Sequence, residues 1–263
     1  MAEFTEYKPG TFCWVDLSTT DAEAAKQFYS KLFGWSIVEM PIPDGSTYTM
    51  FQVRGKDVAA LYPMGKEQQA AGVPSHWMSY VSVTSADDTA EKAASLGAEI
   101  LAGPFDVMES GRMVMFQDPT GAQVAAWQPK DHFGAALANE PGAFCWNELA
   151  TKDAKKATAF YTQLFGWQAE TQEMSEGMVY TSFRNDDRYN GGMMQMSEEW
   201  GDMPSNWTVY FTVESCDESV ERAQSLGGSV MVPPSDIPEV GRFSMLQDPQ
   251  GAIFAMLEFP DVA

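Results

Sequence analysis

The sequence predicts an α+β fold: two tandem domains, each a pair of βαβββ units forming a curved, cup-like sheet with helices on the outside. Three observations predict it. Residues 12–35, FCWVDLSTTDAEAAKQFYSKLFGW, return as residues 144–167, FCWNELATKDAKKATAFYTQLFGW, with 14 of 24 positions identical. A repeat this long is no solenoid; it is the duplication of a whole domain. Within each copy, the order strand, helix, three strands is read twice. Finally, the strands alternate between an apolar face suited to a helix and a face that is aromatic and partly polar.

Taken in order, the first unit opens with a strand at residues 11–17. Its helix begins behind Asp21, whose side chain can accept from a free N–H of the first turn. The apolar stripe is Ala25, Phe28, Tyr29, Leu32 and Phe33, and Gly34 ends it. Short strands are expected at residues 35–39, 48–53 and 58–63. The second unit runs through a strand at 77–83, a helix at 86–96 stopped by Gly97, and strands at 98–101, 112–117 and 123–128. Asp118-Pro119-Thr120-Gly121 reads as its last hairpin turn, with Pro preset in φ and Gly free to take positive φ.

The downstream copy follows suit. Tyr48, Trp77, Tyr80, Gly111-Arg112 and Gln117-Asp118-Pro119 answer to Tyr180, Trp207, Tyr210, Gly241-Arg242 and Gln247-Asp248-Pro249. The expected domains are residues 1–130 and 141–263, joined near residues 128–141. The stretches 63–75 and 194–205 read as crossings between units, with Met64, Met194, Met196 and Met203 as an adaptable apolar lining or as surface connectors.

Of 263 residues, 44% are hydrophobic and 20% charged, the balance of an ordinary globular chain. Lys and Arg number 16 against 37 Asp and Glu, a formal charge of −21. Such a surface repels phosphate backbones and anionic lipid, which argues against nucleic-acid and membrane partners. No stretch approaches the ~20 apolar residues of a membrane span. Three cysteines make no disulfide framework, and the cytoplasm is the expected compartment. Cys13, Cys145 and Cys216 sit in apolar contexts and read as buried and inert.

On the first strand, Cys13, Val15 and Leu17 share the helix-facing side, while Phe12, Trp14 and Asp16 share the other. Phe144, Trp146 and Glu148 are their counterparts. An acid inside a cup needs a partner. The candidates are Arg112 or Arg242, a tyrosine hydroxyl, water or a ligand; the alternative is a solvent-exposed strand end.

The doubled βαβββ unit, with Phe28-Tyr29-Ser30-Lys31-Leu32-Phe33-Gly34-Trp35 ending a helix and Asp118-Pro119-Thr120-Gly121 before a last strand, resembles the vicinal oxygen chelate superfamily. That group includes glyoxalase I, bleomycin-resistance proteins, fosfomycin-resistance enzymes and extradiol dioxygenases. The tandem, Trp-rich pattern looks most like two-domain actinobacterial proteins labelled glyoxalase-like or hydroxylase. The resemblance implies metal ligands on the first and last strands of each unit. Aligned here, those positions fall on Trp14, near Ala60, Met78 and Ala125, and on Trp146, near Gly192, Thr208 and Ala255. None is a good ligand for Zn, Ni, Mn or Fe, so no metal and no cofactor is expected. The chain has two histidines: His76 at a strand start and His132 in the linker.

Two functions remain open. In the first, a metal-free cup binds a small hydrophobic or aromatic molecule. Trp14, Tyr80 and Trp127 supply surface there, and Asp16 and Arg112 orient polar groups. The second copy offers Trp146, Tyr210, Glu148 and Arg242. An acidic cup also suits a cationic guest. In the second, the chain is a glyoxalase-like lyase or isomerase, or a hydroxylase, acting on a small carbonyl or aromatic substrate. Asp16 or Glu148, raised in pKa by burial, would then be the general base. Either a monomer or a homodimer is compatible with four βαβββ units in one chain.

Overall fold

In a computed structural model, residues 3–42, 45–173 and 179–260 are described. Their strands form two eight-stranded sheets. The first half contains β1 (Phe12–Thr19), β2 (Ser36–Pro41), β3 (Thr47–Val53), β4 (Lys56–Pro63), β5 (His76–Ser82), β6 (Glu99–Val107), β7 (Gly111–Gln117) and β8 (Gln123–Pro129). Their order is β2-β3-β4-β1-β5-β8-β7-β6. The second half repeats it with β9 (Phe144–Thr151), β10 (Gln168–Glu173), β11 (Val179–Asn185), β12 (Arg188–Gln195), β13 (Asn206–Thr212), β14 (Ser229–Ile237), β15 (Gly241–Gln247) and β16 (Ile253–Glu258), ordered β10-β11-β12-β9-β13-β16-β15-β14. In each half the opening strands of the two βαβββ units lie side by side and antiparallel, β1 on β5 and β9 on β13. The sheets stay open at both edges, as cups rather than barrels.

The helices begin and end where the sequence indicates. Asp21 accepts from the Ala24 N–H at 3.0 Å to start α1 (Ala22–Phe33), and Gly34 closes it at φ 71°. Asp153 and Gly166 do the same for α4 (Ala154–Phe165). Ser85 caps α3 (Ala86–Ser95) and Ser215 caps α5 (Cys216–Ser225). The crossing segments hold a short α2 (Lys66–Ala70) and a 3₁₀ turn at Glu198–Trp200. The strand expected at 98–101 runs on through Val107. β6 is an edge strand and takes up Gly103-Pro104 within a bulge. Its register on β7 shifts between Ile100 and Ala102 and again between Ala102 and Phe105.

The helix-bearing sides of the two sheets face each other and share one core. The repeated motifs meet there across the halves. Tyr29 of α1 donates to Asp248 of the far turn at 2.9 Å and accepts from Trp77 Nε1 at 3.0 Å. Reciprocally, Tyr161 donates to Asp118 at 2.8 Å and accepts from Trp207 at 2.8 Å. Trp35 and Trp167 donate to the carbonyls of Gly142 and Gly10 in the opposite half. Both tyrosines are fully buried, so their hydroxyls need these partners. The helix motif and the turn motif thus serve first to lock the two copies together.

One face assignment is corrected. Phe12 does not share the open face with Trp14 and Asp16. A bulge between Phe12 and Trp14 turns its ring to the helix side, onto Trp167 and Trp207 at 5.6 and 5.1 Å. The same register shift separates Phe144 from Trp146.

Candidate functional site

Residues directly opposite in paired strands share a face, so the register defines the hollow side of each sheet. In the first half one row runs Val38, Met50, Ala60, Asp16, Met78. Beside it lie Met40, Tyr48 and Ser18, the last directly opposite Tyr62. A third row runs Trp14, Tyr80, Ala125, Met115, and a fourth Ser82, Trp127, Met113, Phe105. In the second half the corresponding rows are Glu170, Ser182, Gly192, Glu148, Thr208, then Trp146, Tyr210, Ala255, Met245.

At the bottom of the first cup, Trp14 Nε1 donates to the Tyr48 hydroxyl at 3.1 Å. Tyr48 donates to Asp16 Oδ2 at 3.0 Å, and Tyr80 donates to Asp16 at 3.0 Å. The second cup repeats the network with a longer acid. Trp146 donates to Tyr180 at 3.1 Å, Tyr180 to Glu148 Oε2 at 3.0 Å and Tyr210 to Glu148 Oε1 at 2.8 Å. Of the partners the sequence left open for Asp16, the tyrosine hydroxyl is therefore the one found.

Burial disfavours the charged form and lifts Asp16 to about 7, against the opposing pull of the Tyr48 and Tyr80 hydrogen bonds. Glu148 is raised for the same reason, with Tyr210 and Tyr180 opposing. Burial pushes the Cys145 thiol up to about 12, so it is no ready nucleophile.

The cups differ above this floor. Trp14, Asp16, Tyr80 and Trp127 are all buried, Asp16 with only 3% of its surface exposed. The linker closes one end of this cup. Ala135 and Ala136 N–H groups donate to the Cys13 and Asp57 carbonyls, and Trp127 Nε1 donates to the His132 carbonyl at 2.8 Å. The His132 ring meets the Trp14 ring edge-on at 4.6 Å. Its Nε2 is buried without a hydrogen-bond partner, and burial lowers its pKa. In the second cup Trp146, Glu148 and Tyr180 are half-buried. There Tyr210, Ala255 and Leu257, with Trp146, Phe243 and Met245 against them, form an apolar cluster separate from the main core.

Trp14, Tyr80, Trp127, Trp146 and Tyr210 thus lie on the hollow faces with Asp16 and Glu148. Arg112 and Arg242 do not join them, a correction to their expected place. Arg112 shares its side of β7 with the fully buried Val114 and Phe116, the helix side. Its guanidinium donates twice to Asp87 of α3, at 2.7 and 2.9 Å. Arg242 pairs likewise with Asp217 and with Asp236. Sequence reasoning missed Tyr48, Tyr180 and His132. The first two were flagged as repeat partners, but their strand's register was needed to aim them at the acids.

The four metal-ligand positions implied by resemblance do converge on the first cup: Ala60 and Met78 flank Asp16, and Ala125 flanks Tyr80. They carry an indole, two methyls and one thioether, which is no donor set for Mn, Fe or Zn. Among the described residues no three His, Cys, Asp or Glu side chains are grouped to hold a metal ion. These residues do not fit a bound divalent ion, and no chemistry is derived through one. No helix of the described residues is long and apolar enough to cross a membrane.

Comparison with known proteins fits this geometry. Residues 11–126 and 143–256 each match the model of the Glyoxalase/Bleomycin resistance protein/Dioxygenase superfamily. The chain is 40% identical over 259 residues to "Putative glyoxylase CFP32" of Mycobacterium tuberculosis, covering 98% of both chains. It is 34% identical to the anthracycline biosynthesis protein DnrV of Streptomyces peucetius, covering 97% of this chain and 95% of the relative. The Mn(II)-bound glyoxalase from Novosphingobium aromaticivorans superposes with a TM-score of 0.64 at 15% identity, covering 95% of this chain and 82% of the other. At that identity the likeness is one of fold.

Proposed function

Since the chain belongs to the glyoxalase/bleomycin resistance protein/dioxygenase superfamily, we propose that it is a metal-independent small-molecule binding protein whose cups hold a hydrophobic or aromatic guest. The observation that carries this reading is the wall of the first cup. Val38, Met40 and Phe105 are 45%, 42% and 43% exposed on the hollow face, above an aromatic floor. Large side chains left uncovered around a concavity, backed by methionines that repack at low cost, suit a flat apolar guest. A relative named for anthracycline biosynthesis is consistent with a polycyclic aromatic one.

Intrinsic tryptophan fluorescence, titrated with an anthraquinone and with one- and two-ring aromatics, tests the proposal. The expected result is saturable quenching that weakens at least about tenfold in Val38→Asp, a change at an exposed position; tenfold is about 1.4 kcal/mol. A flat response across the panel sinks it.

One observation favours a second reading, that of an enzyme. The Asp16 carboxyl, held by Tyr48 and Tyr80 and lifted to about 7, would exchange a proton near neutral pH once a substrate displaced the apolar wall above it. Turnover of the methylglyoxal–glutathione hemithioacetal, lost in Asp16→Asn, supports it. Wild-type rates in both Asp16→Asn and Glu148→Gln remove it.

A further inference from the structure

The second cup differs from the first in ways that select a different guest. Its wall residues Glu170, Ser182 and Thr208 stand where the first cup has Val38, Met50 and Met78. Glu148 as a residue is half-buried where Asp16 is buried, with its carboxylate oxygens held by the two phenols. Among the described residues Glu148 is bonded to two phenols and to no cation. The guanidinium on that wall, Arg184, is engaged by Glu170 at 2.9 Å. Around the acid stand the rings of Trp146, Tyr180 and Tyr210, with Phe243 stacked on Tyr210 at 6.5 Å between centroids. With the longer acid, the Tyr180 hydroxyl lies directly over Gly192. A Cβ there would overlap the Tyr180 hydroxyl and come within 3.1 Å of Trp146 Nε1.

Aromatic faces carry negative charge density, and a carboxylate among them adds a full charge. Such cages recognise quaternary and other alkylammonium groups. We propose that the second cup is an organic-cation site, in which Glu148 and the rings of Trp146, Tyr180 and Tyr210 take an alkylammonium group. The assignment rests on the reading of the cups as ligand sites and gives the second one its chemical class. Asp16 offers no such site, because its carboxyl lies sealed beneath an apolar wall. The formal charge of −21 draws cations toward the whole molecule, so the test must separate the cup from the surface.

The experiment is a ligand-observed NMR titration of the full chain at pH 8 and 0.15 M salt. The probes are choline and its uncharged isostere 3,3-dimethylbutan-1-ol. The expected result is at least tenfold tighter binding of choline. Glu148→Gln removes that preference, whereas Glu221→Gln, which deletes the same charge from an exposed helix position, keeps it. Equal affinity for both probes overturns the cation assignment while leaving the cup a binding site. A preference that survives Glu148→Gln overturns it as well, by placing the cation elsewhere. If neither probe binds but the aromatic panel quenches fluorescence, the cation site falls and the binding function stands. If the panel also fails, both fall.

Discussion

The two cups share a floor and differ in everything above it. Each rests on a tryptophan N–H, two phenols and a carboxylate joined in one hydrogen-bonded chain. Over the first lies a ceiling of linker and a wall of Val38, Met40 and Phe105. Over the second lie Glu170, Gln172 and Ser235, and Glu148 is half-buried. Duplication began both from one sequence. The network that survived in both, even through the change from Asp16 to Glu148, satisfies a need common to the fold: polar groups at the cup bottom must bond to one another. The walls diverged, and on the proposed reading it is they that would select the guest.

The largest effect that sharpens this contrast is on stability. Trp14→Ala removes a buried ring fused to the main core and should cost about 3–5 kcal/mol. Trp146→Ala removes a half-buried ring from a satellite cluster and should cost no more than about half as much. Urea unfolding of both variants measures this. Equal losses would mean that the second cup is as much core as the first.

Next comes pH. Asp16 titrates near 7 in the folded chain and at its ordinary lower value when unfolded. Between these values the folded state holds a proton that the unfolded state has lost. Its contribution is therefore full below about pH 4 and fades as pH rises through 7, a swing of roughly 2–4 kcal/mol. Tyr48, Tyr62 and Tyr80, which face it, are pushed well above their ordinary range and stay neutral throughout. Wild-type stability should fall from pH 5 to 8, and Asp16→Asn should flatten most of that slope. Glu148 and Asp248, raised by burial, act in the same sense and leave a residual slope, while His132, lowered by burial, opposes it. An unchanged slope in Asp16→Asn would put the sealed acid in the wrong cup.

Much of this was legible in the sequence. The repeat announced two copies, and alternation put Trp14 with Asp16 and Trp146 with Glu148. Capping residues marked the helix ends. What escaped depended on pairing rather than pattern. Tyr48 reaches Asp16 only because β3 and β4 bring it across the sheet, and a one-residue slip would have turned it away. Phe12 was misplaced because a bulge breaks strict alternation. The exchange of Tyr29 and Tyr161 between halves is tertiary, and nothing in a local window indicates it. The arginines are different. Alternation along β7 with Val114 and Phe116 already placed Arg112 on the helix side.

A smaller effect probes the second floor alone. Gly192→Ala forces the Tyr180 hydroxyl aside and should cost about 1–3 kcal/mol, the usual range for overpacking. At the equivalent position of the first cup, Ala60→Gly should cost about 1 kcal/mol, from backbone freedom. Thermal unfolding of the pair checks the sign of the difference. If Gly192→Ala is neutral, Tyr180 has room to move and the floor network is not fixed.

The smallest effect tests the faces themselves. Arg112 and Arg242 each bind an aspartate at the start of a helix, on the side away from the hollow. They are surface pairs, partly exposed and screened by salt. Arg112→Gln and Arg242→Gln should leave unfolding midpoints close to wild type. They should also leave the quenching titration of the first cup and the choline titration of the second unchanged within about twofold, below 0.5 kcal/mol. The reason is geometric: alternation along β7 and β15 sends these side chains through the sheet's other face, where no guest in the cup can meet them. A tenfold loss of either ligand would mean that the guests lie on the helix side, and the contrast between the cups would lose its bearing on function.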